Sequence, residues 1–164
     1  MAVKSPLSNY SSPQITRIHT DEFHNDVSSC GLWLLRYTNM EKLVFKNETF
    51  QLIGLCMEVH RVLGHGFSEI VYKDAIEEEA QARGIRNERE KEYDVIIKGK
   101  VLRHKFFADF EFFDSIILEV KVSDKGVADE HIAQTLNYIK ISGRKVGLIV
   151  NFGRQSLEHK RLIF

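Results

Sequence analysis

The stretch Phe106-Phe-Ala-Asp-Phe-Glu-Phe-Phe-Asp-Ser-Ile-Ile-Leu-Glu-Val-Lys-Val-Ser123 decides how the chain is read. Two runs rich in Phe, Ile, Leu and Val flank Asp114-Ser115, the pattern of a hairpin of two buried strands. Asp109, Glu119 and Lys121 lie inside those runs. A charge in a strand core is costly unless it pairs with another charge or holds a metal.

Glu119 and Lys121 stand two apart, so they point to the same face of one strand. Two hard carboxylates suit Mg²⁺, and a neighbouring ammonium can steer a water or a phosphate oxygen, which are the parts a phosphodiesterase needs. The spacing alone is a weak signal, and the apolar setting strengthens it. The competing reading is a cross-strand ion pair on an exposed face. Register adds a condition. A two-residue loop at Asp114-Ser115 would set Asp109 opposite Val120, on the other face from Glu119 and Lys121. A three-residue loop, Phe113 to Ser115 or Asp114 to Ile116, or a bulge, returns both carboxylates to one face. A shared cation site therefore requires an odd-length connection or a bulge.

The 164 residues suffice for a domain with a sizeable core. Lys plus Arg and Asp plus Glu number 23 each, which argues against unspecific coating of nucleic acid but leaves room for a locally basic groove. Cys30 and Cys56 are too few for a disulfide framework or zinc site, and Cys56 falls on an apolar helical stripe as a core thiol. No targeting segment or membrane span is visible, so a cytoplasmic, reducing location is expected.

Residues 1–39 are rich in Ser, Thr and Asn, hold Pro6 and Pro13, and read as a poorly ordered extension. Residues 40–164 read as one domain. From Thr49, Leu52, Leu55, Cys56, Val59, Val62 and Leu63 recur at helical spacing until Gly64. A second helix opens at Ser68 and runs to Arg83, with Glu69, Tyr72, Ile76 and Ala80 on one stripe. Glu69 reads equally as a first-turn acid favoured by the helix dipole or as a site residue. Tyr93, Val95 and Ile97 alternate as a strand before a turn at Lys98-Gly99-Lys100. Lys98, Lys100, Arg103, His104 and Lys105 cluster at that turn, either as a solvated edge or as a phosphate-contacting rim. A helix ending near Gly143 carries a core stripe of Ala128, Ile132, Thr135, Leu136 and Ile139, and a flank of His131, Gln134 and Tyr138. The flank is either surface or overhang of a site. Lys145 to Asn151 reads as a buried strand, and Leu157 to Phe164 as a short closing segment. The order α-α-β-β-β-α-β implies an α/β fold with a mixed sheet between helices.

With those residues in hand, the chain resembles the GxxExxY family of the PD-(D/E)xK nuclease superfamily. The naming motif stands as Gly66-Phe-Ser-Glu69-Ile-Val-Tyr72, followed by Ala108-Asp109 and Glu119-Val-Lys121. Gln134-Thr-Leu-Asn-Tyr138 is similar to the Gln-xxx-Tyr helix motif of exonuclease-type branches, and Val146 to Gly153 and Ser156 to Leu162 to the family's closing strand and tail. Ala108 stands where the superfamily name has Pro. The resemblance spans roughly Met40 to Phe164 and implies a restriction-endonuclease-like core acting on DNA or RNA. By that resemblance Asp109, Glu119 and the Val120 carbonyl would hold Mg²⁺ (or Mn²⁺), with Glu69 reaching the metal directly or through water. Lys121 would orient or help deprotonate the attacking water, or offset charge on the phosphorane, and Gln134 and Tyr138 would hold the lysine or a phosphate. Lys98, Lys100, Arg103 and Lys105 are the candidate substrate contacts. Glu111 is expected to stay off the metal. The alternative is a non-catalytic binding module, for nucleic acid or protein, that keeps the fold.

Overall fold

The computed structural model describes residues 44–164, so the expected extension over residues 1–39 lies outside the described residues. Helix α1 spans Lys46–Leu63 and α2 spans Glu69–Ala82. Strand β1 is Asn87–Tyr93, a small hairpin is formed by β2 (Ile96–Ile97) and β3 (Lys100–Val101), and β4 (Phe106–Phe112) and β5 (Ile116–Lys121) follow. Helix α3 is Asp129–Ser142, and β6 (Val146–Asn151) and β7 (Glu158–Ile163) close the chain.

The helices form where apolar residues repeat at three- and four-residue intervals. Leu52, Leu55, Cys56 and Val59 of α1 are buried, and Gly64 ends the helix at φ 69°, its N–H donating to the His60 carbonyl at 2.8 Å. Val62, expected on the same stripe, is exposed, because it lies at the margin of the stripe on the last turn. In α2, Tyr72, Ile76 and Ala80 are buried, and Ser68 is the N-cap by backbone geometry with no side-chain hydrogen bond.

The sheet order is β1-β4-β5-β6-β7. β5 and β6 run parallel, joined by the crossover through α3, and the other pairs are antiparallel. The closing segment is thus a strand, β7, on the sheet's far edge. The strand expected around Tyr93 to Ile97 instead ends at Tyr93, and Ile96 and Ile97 lie exposed in the small hairpin. That hairpin turns through Lys98 and Gly99 at φ 49° and 76°. The main core lies between the sheet and α1/α2, built from Phe110, Phe112, Leu118, Val120, Leu148 and Val150 with the helix stripes. Helix α3 covers the other face, so close to β6 that a Cβ on Gly147 would stand 2.6 Å from Thr135 Cγ2.

Two local features position the site. The β4–β5 loop is the three residues Phe113–Ser115, since Phe112 pairs with Ile116. Phe113 and Asp114 take φ 55° and 53°, and Ser115 N–H donates to the Phe112 carbonyl at 3.0 Å. The odd-length connection required for a shared face is present. The second feature is a break in alternation. Phe110 and Phe112 enter the main core, yet Phe106 and Ala108, which keep the same parity, pack with Ile117 and Tyr138 on the α3 side. The change falls at Asp109. Its partner position, Glu90, has φ 50° and is the one rung missing from an otherwise unbroken β1–β4 register.

Candidate active site

Backbone pairing of β4 with β5 ends at Phe110–Leu118. One residue further, side chains replace the ladder. The Val120 N–H donates to Asp109 Oδ2 at 2.8 Å, and the Asp109 N–H donates to Glu119 Oε1 at 3.4 Å. The two strands therefore part like a fork, with both carboxylates between the tines. Lys121 Nζ donates to Glu119 Oε2 at 3.3 Å, as their shared strand face requires. Glu119 is only 1% exposed, which removes the reading of an exposed cross-strand pair. Burial, then the negative charge of Asp109, pushes the Glu119 carboxyl up to about 7, against the opposing pull of Lys121.

Helix α2 brings two more charges to the fork. Lys73 Nζ lies 2.5 Å from Asp109 Oδ1 and 2.9 Å from Glu69 Oε1. Burial works against the Lys73 ammonium, but hydrogen bonds and charge from Asp109 and Glu69 outweigh it and raise its pKa. Sequence reasoning missed Lys73. Half of the signal was available, since Lys73 follows Glu69 by one helical turn. Glu69 reaches Asp109 through this lysine.

The remaining expected residues divide. Gln134 Nε2 donates to Tyr138 Oη at 3.3 Å, so the Gln-xxx-Tyr pair is formed on α3. Tyr138 is buried against Ala108, Ile117 and Phe106, and burial raises its phenol pKa. It is a core residue, so of the two readings of this flank the exposed surface one does not hold for Tyr138. His131 instead caps α3, its Nδ1 accepting from the Ala128 N–H at 3.2 Å. Glu111 is held away from the fork by Arg144 at 2.5 Å and by the Tyr93 hydroxyl. Val120 turns its side chain into the main core.

The end of β5 is pinned from behind. Asn151 Oδ1 accepts the Ser123 N–H at 2.8 Å and the Gly153 N–H at 3.1 Å, while its Nδ2 donates to the Ser123 carbonyl at 2.8 Å. The Phe152 N–H donates to the Lys121 carbonyl at 2.8 Å. Gly153 passes so near the chain that a Cβ there would lie 2.3 Å from Ser123 N. These contacts fix where Lys121 leaves the sheet.

The basic segment lies at the same end. It joins β1 to β4 beyond the Tyr93–Phe106 pair, the end of the sheet to which Asp109 belongs. Lys98, Lys100 and Arg103 are exposed, but Lys105 is engaged by Glu92 and Asp94. Lys105 is therefore the least available of the four.

Among the described residues no group of three His, Cys, Asp or Glu side chains converges as a metal-binding set. The donor chemistry nonetheless fits a hard divalent cation. Two carboxylates adjoin at the fork, one of them buried and resisting ionisation beside the other, and Asp109 and Glu69 already share a positive charge.

A mixed sheet between helices, with an Asp and a Glu-x-Lys meeting where two central strands part, defines a nuclease-like class of protein. The model of the PD-(D/E)XK nuclease superfamily matches residues 46–162, and the chain belongs to that superfamily. Its nucleases usually use divalent metals. Among solved structures, the crystal structure of SSO0001 is similar with 23% identity and a TM-score of 0.48. That match covers 57% of this chain and 48% of the other, so it spans about half the length of its relative. An alkaline exonuclease from Laribacter hongkongensis is similar with 16% identity and a TM-score of 0.41, over 66% of each chain. No curated protein matches. Among the described residues no helix is long and apolar enough to cross a membrane.

Proposed function

We propose that this chain is a metal-dependent phosphodiesterase of the GxxExxY branch, cutting DNA or RNA with Mg²⁺ or Mn²⁺. The observation that carries the reading is the fork itself: Asp109 and Glu119 replace ladder hydrogen bonds, with Lys121 on Glu119. A structural ion pair has no need to open a sheet. Asp109, Glu119 and the Val120 carbonyl would hold the cation, and Glu69 would reach it through water while staying paired with Lys73. When bound, a divalent ion supplies Lewis-acid stabilisation of the charge that builds on the phosphate.

Within that site Lys121 orients the attacking water through its ammonium protons, and its link to Glu119 fixes where that ammonium points. Gln134 and Tyr138 hold a phosphate oxygen or Lys121 from the α3 side. Lys98, Lys100 and Arg103 contact phosphates away from the cut, with Lys105 in a lesser role. The specific observation favouring a second reading, a non-catalytic module that keeps the fold, is that Lys73 already supplies Asp109 and Glu69 with a positive charge.

The test is incubation with single- and double-stranded DNA and RNA plus Mg²⁺ or Mn²⁺, beside Asp109→Ala, Glu119→Gln and Lys121→Ala. Cleavage by the parent protein alone is expected, with losses of about a hundredfold or more in the variants. Cleavage that survives in Glu119→Gln and Lys121→Ala would refute the assignment.

A further inference from the structure

The fork holds three acids, Glu69, Asp109 and Glu119, and two ammonium groups, Lys73 and Lys121. Their arrangement is uneven. Lys121 sits with Glu119 on β5, at 3.3 Å. Lys73 comes from a different element and bridges two acids at short range, 2.5 Å to Asp109 Oδ1 and 2.9 Å to Glu69 Oε1. The other Asp109 oxygen is taken by the Val120 N–H at 2.8 Å. Both oxygens of the central carboxylate are thus in use, one by a backbone donor that belongs to the sheet and one by a side chain that can move.

We propose that Lys73 is the built-in counter-cation of the fork, and that a divalent ion binding at Asp109 must displace it onto Glu69. This rests on the metal reading given above and adds a competitor to it. Two positive charges cannot share Asp109 Oδ1 at contact distance without strong repulsion. The lysine has somewhere to go. Glu69 lies one helical turn before it and is 40% exposed at its side chain, so the ammonium keeps one partner after leaving Asp109. Removing Lys73 also uncovers negative charge beside Glu119, which is already crowded by Asp109. The metal-free fork is therefore held together by the group that lowers its affinity for metal. A residue that merely supports the site would do the reverse, weakening metal binding when removed.

The experiment compares the parent protein with Lys73→Met, Lys73→Gln and Lys73→Arg. Mn²⁺ and Ca²⁺ are titrated calorimetrically without nucleic acid, alongside melting with and without metal. Both neutral variants are expected to bind metal about tenfold more tightly, the factor that corresponds to ~1.4 kcal/mol of lost competition. They should also melt lower without metal and gain more when metal is added. Lys73→Arg, which keeps the charge, should stay near the parent affinity. Equal or weaker binding in both neutral variants, with clear binding by the parent, would overturn the displacement while leaving the metal reading intact. No binding by any of the four proteins would overturn both.

Discussion

Replacing Glu119 with Gln isolates what the fork does to the stability of the metal-free protein. Burial and the neighbouring Asp109 lift the Glu119 carboxyl from 4.5 to about 7. The folded protein then holds this proton more tightly than the unfolded chain. Folding takes up a proton between those two values, so the stability tied to this group is present at low pH and is lost as pH rises from about 4.5 to 7. At ~1.4 kcal/mol per pH unit the gap sets a ceiling of about 3 kcal/mol on that loss, which is complete by about pH 8. The Glu119→Gln variant would keep an acceptor for the Asp109 N–H, lose the oxygen that Lys121 uses, and carry no charge. Melting followed by circular dichroism across about pH 5 to 8, with a chelator, should show the two proteins nearly together at the acid end. The variant should be higher by several degrees, up to roughly 10 °C, at the alkaline end. Added Mn²⁺ at alkaline pH should raise the parent and leave the variant unmoved. A constant offset at every pH, or a variant that melts lower in alkali, would refute the argument that Glu119 is a costly buried carboxylate kept for cation binding.

Two glycines should rank by what their missing Cβ would strike. Gly147→Ala presses on movable side-chain atoms of Thr135 and Ile139 and should cost about 1–3 kcal/mol in urea unfolding. Gly153→Ala meets Ser123 backbone at 2.3 Å, so it should cost more and disturb the exit of Lys121; equal costs would refute the ranking. Substituting Lys98, Lys100 and Arg103 with Ser should weaken nucleic-acid binding and flatten the salt dependence by about two to three in slope, as expected for three lost phosphate contacts. An unchanged slope returns the hairpin to the role of a solvated edge.

The helices and the hairpin were legible in the sequence for a simple reason: each repeats a period. Leu52, Leu55, Cys56 and Val59 mark one face of α1, and the apolar runs around Asp114-Ser115 mark two strands. Parity called for an odd-length connection or a bulge once Asp109 and Glu119 were required to meet, and the loop Phe113–Ser115 is one of those options. The rest arises where periods fail. Glu90 adopts φ 50° with no glycine to announce it, and opposite it the strand turns Ala108 to the face that Phe110 leaves. Tyr138, which helical spacing puts on a flank, becomes buried because that turn brings Ala108 and Phe106 beneath it. Lys73 shows the same limit. Its spacing from Glu69 is visible in α2, but its shorter contact is to Asp109, far along the chain on another element. The regular ladder satisfies every backbone group and leaves no polar opening at the centre of a sheet. A site that takes up cations there has to interrupt it, and Asp109 and Glu119 do so by accepting N–H groups released when β4 and β5 part. Of the two fork carboxylates, Asp109 thus lies at the place in β4 where alternation stops predicting direction, while Glu119 keeps the alternation of β5.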